Sequence, residues 1–189
     1  MIPVYLDPSK LRVALIGRGD LALRRLQWLR DAGAAPDLWS DKPSAEFIEA
    51  AGSQLNRALP DSGQLTKYHA VWVADLPIDE ARNVAAAART VRTLVNVEDV
   101  QALCDFQTPA VVRRGRLTLA AGTGGASPAV AKAAREKLED AFGENWGEAL
   151  EDIAEARARL RESGIGGEAL SADARVRLVA HGVAQLTPA

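Results

Sequence analysis

Along the first hundred residues, the pattern of apolar and polar positions switches repeatedly between two periods. Leu11-Arg12-Val13-Ala14-Leu15-Ile16 is a short aliphatic run that stops at glycine, the pattern of a buried parallel strand. From Asp20 to Asp31 the residues Leu21, Ala22, Leu26 and Leu29 recur at helical spacing, and Gly33 follows as a C-terminal stop. Ala35-Pro36-Asp37-Leu38-Trp39-Ser40 predicts a second strand ending near Asp41, with Pro36 tolerated only at its start. The weaker pattern between Lys42 and Lys67 predicts a helix around Ala45 to Ala51 and a brief strand around Gln54 to Ala58. Ala70 to Ala74 is a further apolar strand, Ile78 to Arg89 an alanine-rich helix, and Val91 to Val97 the next strand. Strand and helix in alternation predict an α/β fold, a Rossmann-like and mostly parallel sheet with helices on both faces.

The pattern changes after residue 108. Pro109-Ala110-Val111-Val112-Arg113 and Arg116-Leu117-Thr118-Leu119-Ala120 flank Arg114-Gly115, and strands this close together are joined only as a hairpin. A glycine-rich loop, Gly122-Thr123-Gly124-Gly125-Ala126, leads to Ser127-Pro128, a capping hydroxyl and first-turn proline that open a helix running to about Phe142. Trp146 to Leu160 continues a helical period, Gly164-Ile165-Gly166-Gly167 breaks it, and a last helix is expected from Ser171 to about Ala184. The expected organisation is a nucleotide-binding domain at 1–108, a hairpin and helix module at 109–142, and a helical C-terminal cap at 143–189.

A formal charge of -2, from 23 basic and 25 acidic residues, gives no field that would steer the chain onto nucleic acid. The first residues lack a basic leader, and no apolar run approaches the roughly 20 residues that span a bilayer, so a cytoplasmic protein without a membrane contact is expected. A single cysteine, Cys104, excludes an intrachain disulfide. His69 and His181 are far apart in sequence and no metal-ligand spacing occurs, so no metal site is expected. No P-loop or nucleophile elbow is present, which argues against ATPase and hydrolase chemistry.

The candidate chemistry begins where the first strand gives way to the first helix, at Gly17-Arg18-Gly19-Asp20-Leu21-Ala22. The first glycine permits a tight turn, the second lets backbone approach a pyrophosphate, and Ala22 takes the close-packing position. First-turn amides and the positive helix end would then hold phosphates. Asp41, at the end of the second strand, is placed to accept ribose hydroxyls and to favour NAD over NADP, with Asp37 as its rival and Arg18 and Lys42 as nearby bases. Asn96-Val97-Glu98-Asp99 ends the last strand, at the sheet edge where such folds place ligands, so either carboxylate is a candidate acid or base. Gly122 to Ser127 puts free amides beside a helix start, a site suited to an anion or simply to capping.

The order and spacing of these segments resemble the precorrin-2 dehydrogenase and sirohydrochlorin ferrochelatase family, the N-terminal module of siroheme synthase. The resemblance is carried by Pro3-Val4-Tyr5-Leu6, the turn at Gly17 and Gly19, Asn96-Val97-Glu98-Asp99, Phe106 with Pro109, and Gly122 to Pro128 leading into Arg135-Glu136-Lys137-Leu138-Glu139. It implies NAD-dependent oxidation of precorrin-2 to sirohydrochlorin, with Fe(II) insertion, a lyase reaction, as a second activity of some members. Asp99 matches the family's active-site aspartate. Asn83 matches a cofactor-side asparagine, while Asn96, Phe106, Gly122, Thr123, Gly124, Gly125 and Ser127 are the implied tetrapyrrole contacts. Thr123 matches a loop serine that is phosphorylated in some members. The resemblance further implies a homodimer formed through the hairpin and the helix from Ser127, and because so small a module does not bury all its apolar faces alone, Leu117, Leu119, Val130 and Leu138 are interface candidates. The methyltransferase module of fused siroheme synthases is absent from this sequence, so a separate uroporphyrinogen methyltransferase is expected upstream. Two departures stand out: Arg18 sits between the glycines, and the usual Ala-Thr-Asp-Asp segment is replaced by Ala74-Asp75-Leu76-Pro77. The alternative reading is a non-catalytic NAD-sensing or tetrapyrrole-binding subunit.

Overall fold

A computed structural model describes residues 1–183 and divides the chain into two compact units, the first Met1–Thr108 and the second from Pro109 onward. In the first unit, five strands form one parallel sheet: β1 (Val13–Gly17), β2 (Asp37–Trp39), β3 (Leu55–Asn56), β4 (Ala70–Ala74) and β5 (Leu94–Val97). Their spatial order is β3-β2-β1-β4-β5, so the chain reverses direction across the sheet between β1 and β4. That reversal opens the crevice in which folds of this kind bind ligands.

The strand period of two divides the core. Ala14 and Ile16 of β1 with Val71 and Val73 of β4 face α3 (Ser62–Leu65) and α4 (Ile78–Thr90), whereas Val13, Leu15, Ala70 and Trp72 face α1 (Asp20–Asp31) and α2 (Ala45–Ala51). Every residue of β1 and β4 is buried, which explains why both read as unbroken apolar runs. The edge of β5 is closed by Asp105, whose backbone N–H donates to Val95 O at 2.7 Å while its Oδ2 accepts from Val95 N at 3.1 Å.

In the first unit, three elements differ from expectation. The strand expected from Val91 begins at Leu94, because Arg92 has φ +62 and the buried Thr93 turns its hydroxyl to Leu65 O and Tyr68 O at 3.0 and 2.9 Å. The strand expected from Ala35 to Ser40 is confined to Asp37–Trp39. Helix α3 was not predicted, although Asp61 and Gln64 form a reciprocal capping box around it.

Tyr68, just before β4, accepts at its Oη from Trp39 Nε1 at 2.9 Å and donates from it to Asp37 Oδ2, at the amino end of β2, at 2.8 Å. Arg12 and Lys67 approach the same carboxylate at 3.3 and 3.5 Å. Burial acts to raise the Asp37 carboxyl, but the hydrogen bond from Tyr68 and the nearby cations outweigh it and leave it below the ordinary range.

In the second unit, β6 (Ala110–Arg114) and β7 (Leu117–Ala121) form an antiparallel hairpin, followed by α5 (Pro128–Ala141), α6 (Asn145–Glu162) and α7 (Glu168–Ala180). Ser127 Oγ caps α5 by accepting from Val130 N at 3.3 Å. Gly147 lets α6 lie against the hairpin turn, since a Cβ there would come within 2.9 Å of the Arg114 carbonyl. Arg114 Nε donates to Phe142 O at 2.8 Å, tying the hairpin to the end of α5. Helix α7 starts at Glu168, earlier than expected, and Ala184 lies outside the described residues. Among the described residues, no helix is long and apolar enough to cross a membrane.

Asp37→Asn should destabilise the first unit at about pH 7 by about 1 kcal/mol, a charge-assisted bond discounted for solvent screening. Because the folded carboxyl titrates below its unfolded value, its contribution is present above the ordinary carboxylate range and is lost as pH falls through the folded value. Urea denaturation at about pH 7 and about pH 3 checks this, the two proteins converging at the lower pH.

Candidate functional site

The site is built at the carboxyl ends of β1, β2, β4 and β5. Gly17, the last residue of β1, lies so close to its neighbours that an added Cβ would sit 2.5 Å from Ala74 O and 2.6 Å from the Ala22 Cβ. Its φ is not positive, so close packing rather than the turn expected from sequence is what requires glycine here. Gly19 precedes α1 in extended conformation, with Asp20 exposed as the first helical residue and Leu21 half-buried.

The first-turn amides of α1 already hold an anion. Asp75, which follows β4 with φ +55, turns its Oδ2 to accept from Leu21 N at 2.6 Å and from Ala22 N at 3.3 Å. A Cβ on Gly19 would meet the same oxygen at 2.9 Å. The carboxylate stands in for a phosphate oxygen on these N–H groups, so the residues present fit a pyrophosphate. A pyrophosphate reaching the same amides must displace Asp75.

Arg18 spans the crevice between β2 and α4. Its Nε and one Nη donate to the two oxygens of Asp41 at 2.7 and 2.8 Å, and the guanidinium also pairs with Glu80 in the first turn of α4. Only 13% of the side chain is exposed. The hydrogen bonds it donates to Asp41, then to Glu80, hold the guanidinium more firmly protonated, while Arg18 pulls the Asp41 carboxyl below its ordinary range. The carboxylate expected as a bare ribose acceptor is therefore already paired. Asp37, its rival, opens β2 at the opposite end of the strand. Beside the triad, a cleft of about 260 Å³ is lined by Leu59, Pro60, Glu80, Asn83, Val84 and Ala87.

At the end of β5, Glu98 and Asp99 diverge. Glu98 forms a forked pair with Arg25 of α1 at 2.7 Å, and the Arg25 guanidinium lies 5.0 Å over the Trp28 ring. These residues line a second cleft of about 240 Å³ with Leu21 and Arg24. Asp99 has φ +59 and is exposed, and among the described residues no ion pair engages it. Asn96 is buried and its Nδ2 donates to Phe106 O at 2.9 Å, holding that residue, whose ring meets Trp72 edge-on at 5.0 Å. Cys104 Sγ donates to Val97 O at 3.1 Å and accepts from Val97 N at 3.2 Å, and burial pushes its thiol up. His69 lies at the amino end of β4, where its Nδ1 accepts from Arg12 N at 3.0 Å.

In the second unit, Gly124 and Gly125 have φ +66 and +79, which lets the loop from Gly122 double back before α5. Thr123 Oγ1 donates to Ser127 O at 3.2 Å and accepts from Ser127 N at 3.3 Å, while Ser127 caps α5.

Gly17, Arg18, Gly19, Asp20, Leu21, Ala22 and Asp41 thus gather around one helix start. Asn83 lines the neighbouring cleft, and Asn96, Phe106 and Asp99 lie at and after β5. Sequence reasoning missed Asp75, Glu80 and the Arg25–Glu98 pair. Arg25 and Trp28, three residues apart on one helical face, were the readable sign of the last. Among the described residues, no group of three or more His, Cys, Asp and Glu side chains is arranged to hold a metal ion.

This arrangement defines a dinucleotide-binding protein, and residues 4–110 match the family described as "Putative NAD(P)-binding". The chain belongs to that NAD(P)-binding family. It is similar to the siroheme synthases of Methylococcus capsulatus, 33% identical over 165 residues (86% of this chain and 35% of the relative), and Nitrosococcus oceani, 27% identical over 164 residues (85% and 35%). The chain spans about a third of the length of these relatives. Its structure resembles that of SirC, precorrin-2 dehydrogenase, with a TM-score of 0.68 and 25% identity, covering 96% of this chain and 99% of that one.

Asp75→Asn keeps a residue type that tolerates left-handed backbone and removes the charge that competes for the α1 amides. Dinucleotide binding should tighten by about threefold to tenfold, the scale of one weakened charge-assisted contact. Isothermal titration calorimetry measures it, and an unchanged or weaker affinity would show that Asp75 does not compete.

Proposed function

We propose that the chain is an NAD-dependent dehydrogenase that oxidises precorrin-2 to sirohydrochlorin in siroheme biosynthesis. The observation that carries this reading is the likeness to a precorrin-2 dehydrogenase over nearly the full length of both chains. The helix start that holds the Asp75 carboxylate supports pyrophosphate binding there, and the apolar walls from Leu59, Pro60, Val84 and Ala87 suit a purine ring. Asp20 flanks the pyrophosphate, and Asn83 lies beside the purine.

The oxidation removes a hydride and a proton from adjoining positions of the tetrapyrrole. Bound NAD⁺ supplies the hydride acceptor. Asp99, exposed at the carboxyl end of the sheet and engaged in no ion pair among the described residues, takes the proton. Arg24 and Arg25 offer cations to the carboxylates on the substrate's rim, with the Trp28 ring as an apolar wall. Asn96 positions Phe106. Fe(II) is a second substrate: as the ion enters sirohydrochlorin two pyrrole N–H protons leave, and Asp99 relays them.

The second unit is proposed to form a homodimer. Helix α5 has no buried residue, Val130 is 58% exposed, and Leu117, Leu119 and Leu138 are half-buried. Sedimentation velocity at micromolar concentration should give a species of twice 20.1 kDa, and a persistent monomer overturns the dimer.

The activity is tested by supplying precorrin-2 and NAD⁺ without oxygen and following NADH and sirohydrochlorin, then Fe(II) and sirohydrochlorin against the uncatalysed rate. Asp99→Asn should lower the dehydrogenase rate by about 10²-fold or more, the scale of a lost general base. Full rates in that variant remove Asp99 from the chemistry. Saturable binding of both ligands without turnover makes the chain a sensing or binding subunit instead.

A further inference from the structure

We propose that Arg18 is a cofactor-selecting residue that lets the site accept NADP⁺ alongside NAD⁺, by exchanging the Asp41 carboxylate for the 2′-phosphate. The inference rests on the dinucleotide-binding reading above and deepens it. In sites of this fold, an acidic residue about 20 positions after the glycine turn takes the ribose hydroxyls of NAD, whereas an arginine nearby accommodates the phosphate of NADP. Here both are present at one place and are bonded to each other.

Three observations carry the exchange. The Arg18–Asp41 contact is forked, two parallel N–H···O bonds from one guanidinium edge, and that edge binds a phosphate oxygen pair in the same plane. One arginine serves two carboxylates, so Arg18 keeps Glu80 as an anchor when it leaves Asp41, and the side chain need not swing into solvent. Its backbone is fixed as well, because Arg18 O accepts from Ser44 N at 3.1 Å and holds the turn against the start of α2.

The cleft beside the triad locates the ribose. A purine lying between Leu59, Pro60, Val84 and Ala87 shares the Glu80 wall with Arg18, so the sugar attached to it lies beside the Arg18–Asp41 pair. With NAD⁺, Asp41 turns to the ribose hydroxyls and Arg18 stays on Glu80. With NADP⁺, Arg18 turns to the phosphate, and Lys42, whose charge already acts on Asp41, offsets the repulsion between that carboxylate and the phosphate.

The test uses the full chain and direct calorimetric binding of NAD⁺ and NADP⁺, with adenosine 2′,5′-bisphosphate and 5′-AMP as probes of the adenosine half alone. The native protein should bind both dinucleotides with dissociation constants within about tenfold of each other. Arg18→Ala should weaken NADP⁺ and the bisphosphate by about tenfold or more, as for a lost bidentate charged contact, while NAD⁺ and 5′-AMP change little. Asp41→Asn should move the ratio the opposite way. Arg18→Lys, which keeps the charge and loses the fork, should fall between, and it carries the test if Arg18→Ala does not fold. Native exclusion of NADP⁺ by about a hundredfold, or an Arg18→Ala variant that weakens both dinucleotides equally, overturns the inference and leaves the dehydrogenase reading standing. Binding of neither dinucleotide overturns both.

Discussion

The site depends on the close packing at Gly17, where there is no room for a Cβ. With no side chain there, the end of β1 rests directly against the carbonyl of Ala74 and the methyl of Ala22, so α1 begins at the boundary between β1 and β4. A larger residue would push the helix away from the sheet by the width of its Cβ. The amides of Leu21 and Ala22 would then no longer face Asp75, and Arg18 would no longer reach both Asp41 and Glu80. This close packing thus fixes the helix start around which Asp75 and Arg18 are held.

Those groups divide by partner. Asp41 and Glu80 share Arg18, Glu98 is forked onto Arg25, and Asp75 rests on helix amides. Asp99 alone of the five is both exposed and engaged in no ion pair among the described residues. A carboxylate already committed to an arginine gives up its charge reluctantly and is a poor proton carrier. Glu98, forked onto Arg25, and its neighbour Asp99, which makes no ion pair among the described residues, thus have different surroundings although they are adjacent in the sequence.

What the sequence reveals and what it hides follow from how local each cause is. β1, β4 and α1 were readable because a strand buried on both faces and a helix with one apolar stripe each leave a periodic record. The hairpin and the Ser127 cap were readable because their partners lie within a few residues. The start of β5 was not, since Val91 has strand character while Thr93 is held by Leu65 and Tyr68, far back in the chain. Gly17, Gly19 and Ala22 announced the helix start. Asp75, more than fifty residues away, reaches it only through the pairing of β1 with β4, which no spacing in the sequence encodes.

The paired state of these charges has a consequence for the strength and speed of recognition. On the proposed reading, a dinucleotide entering the crevice would take over contacts that Asp75 and Arg18 make within the protein, so few charged contacts would be gained in total and most would be traded. The free energy of association is then the difference between two similar sets of bonds, with the apolar cleft wall supplying the surplus. As the ligand departed, the internal carboxylates would return to these bonds, leaving no naked charge to hold it back. Such a crevice favours modest affinity and rapid release, the combination needed when spent ligand must leave after every turnover and its departure would otherwise limit the rate.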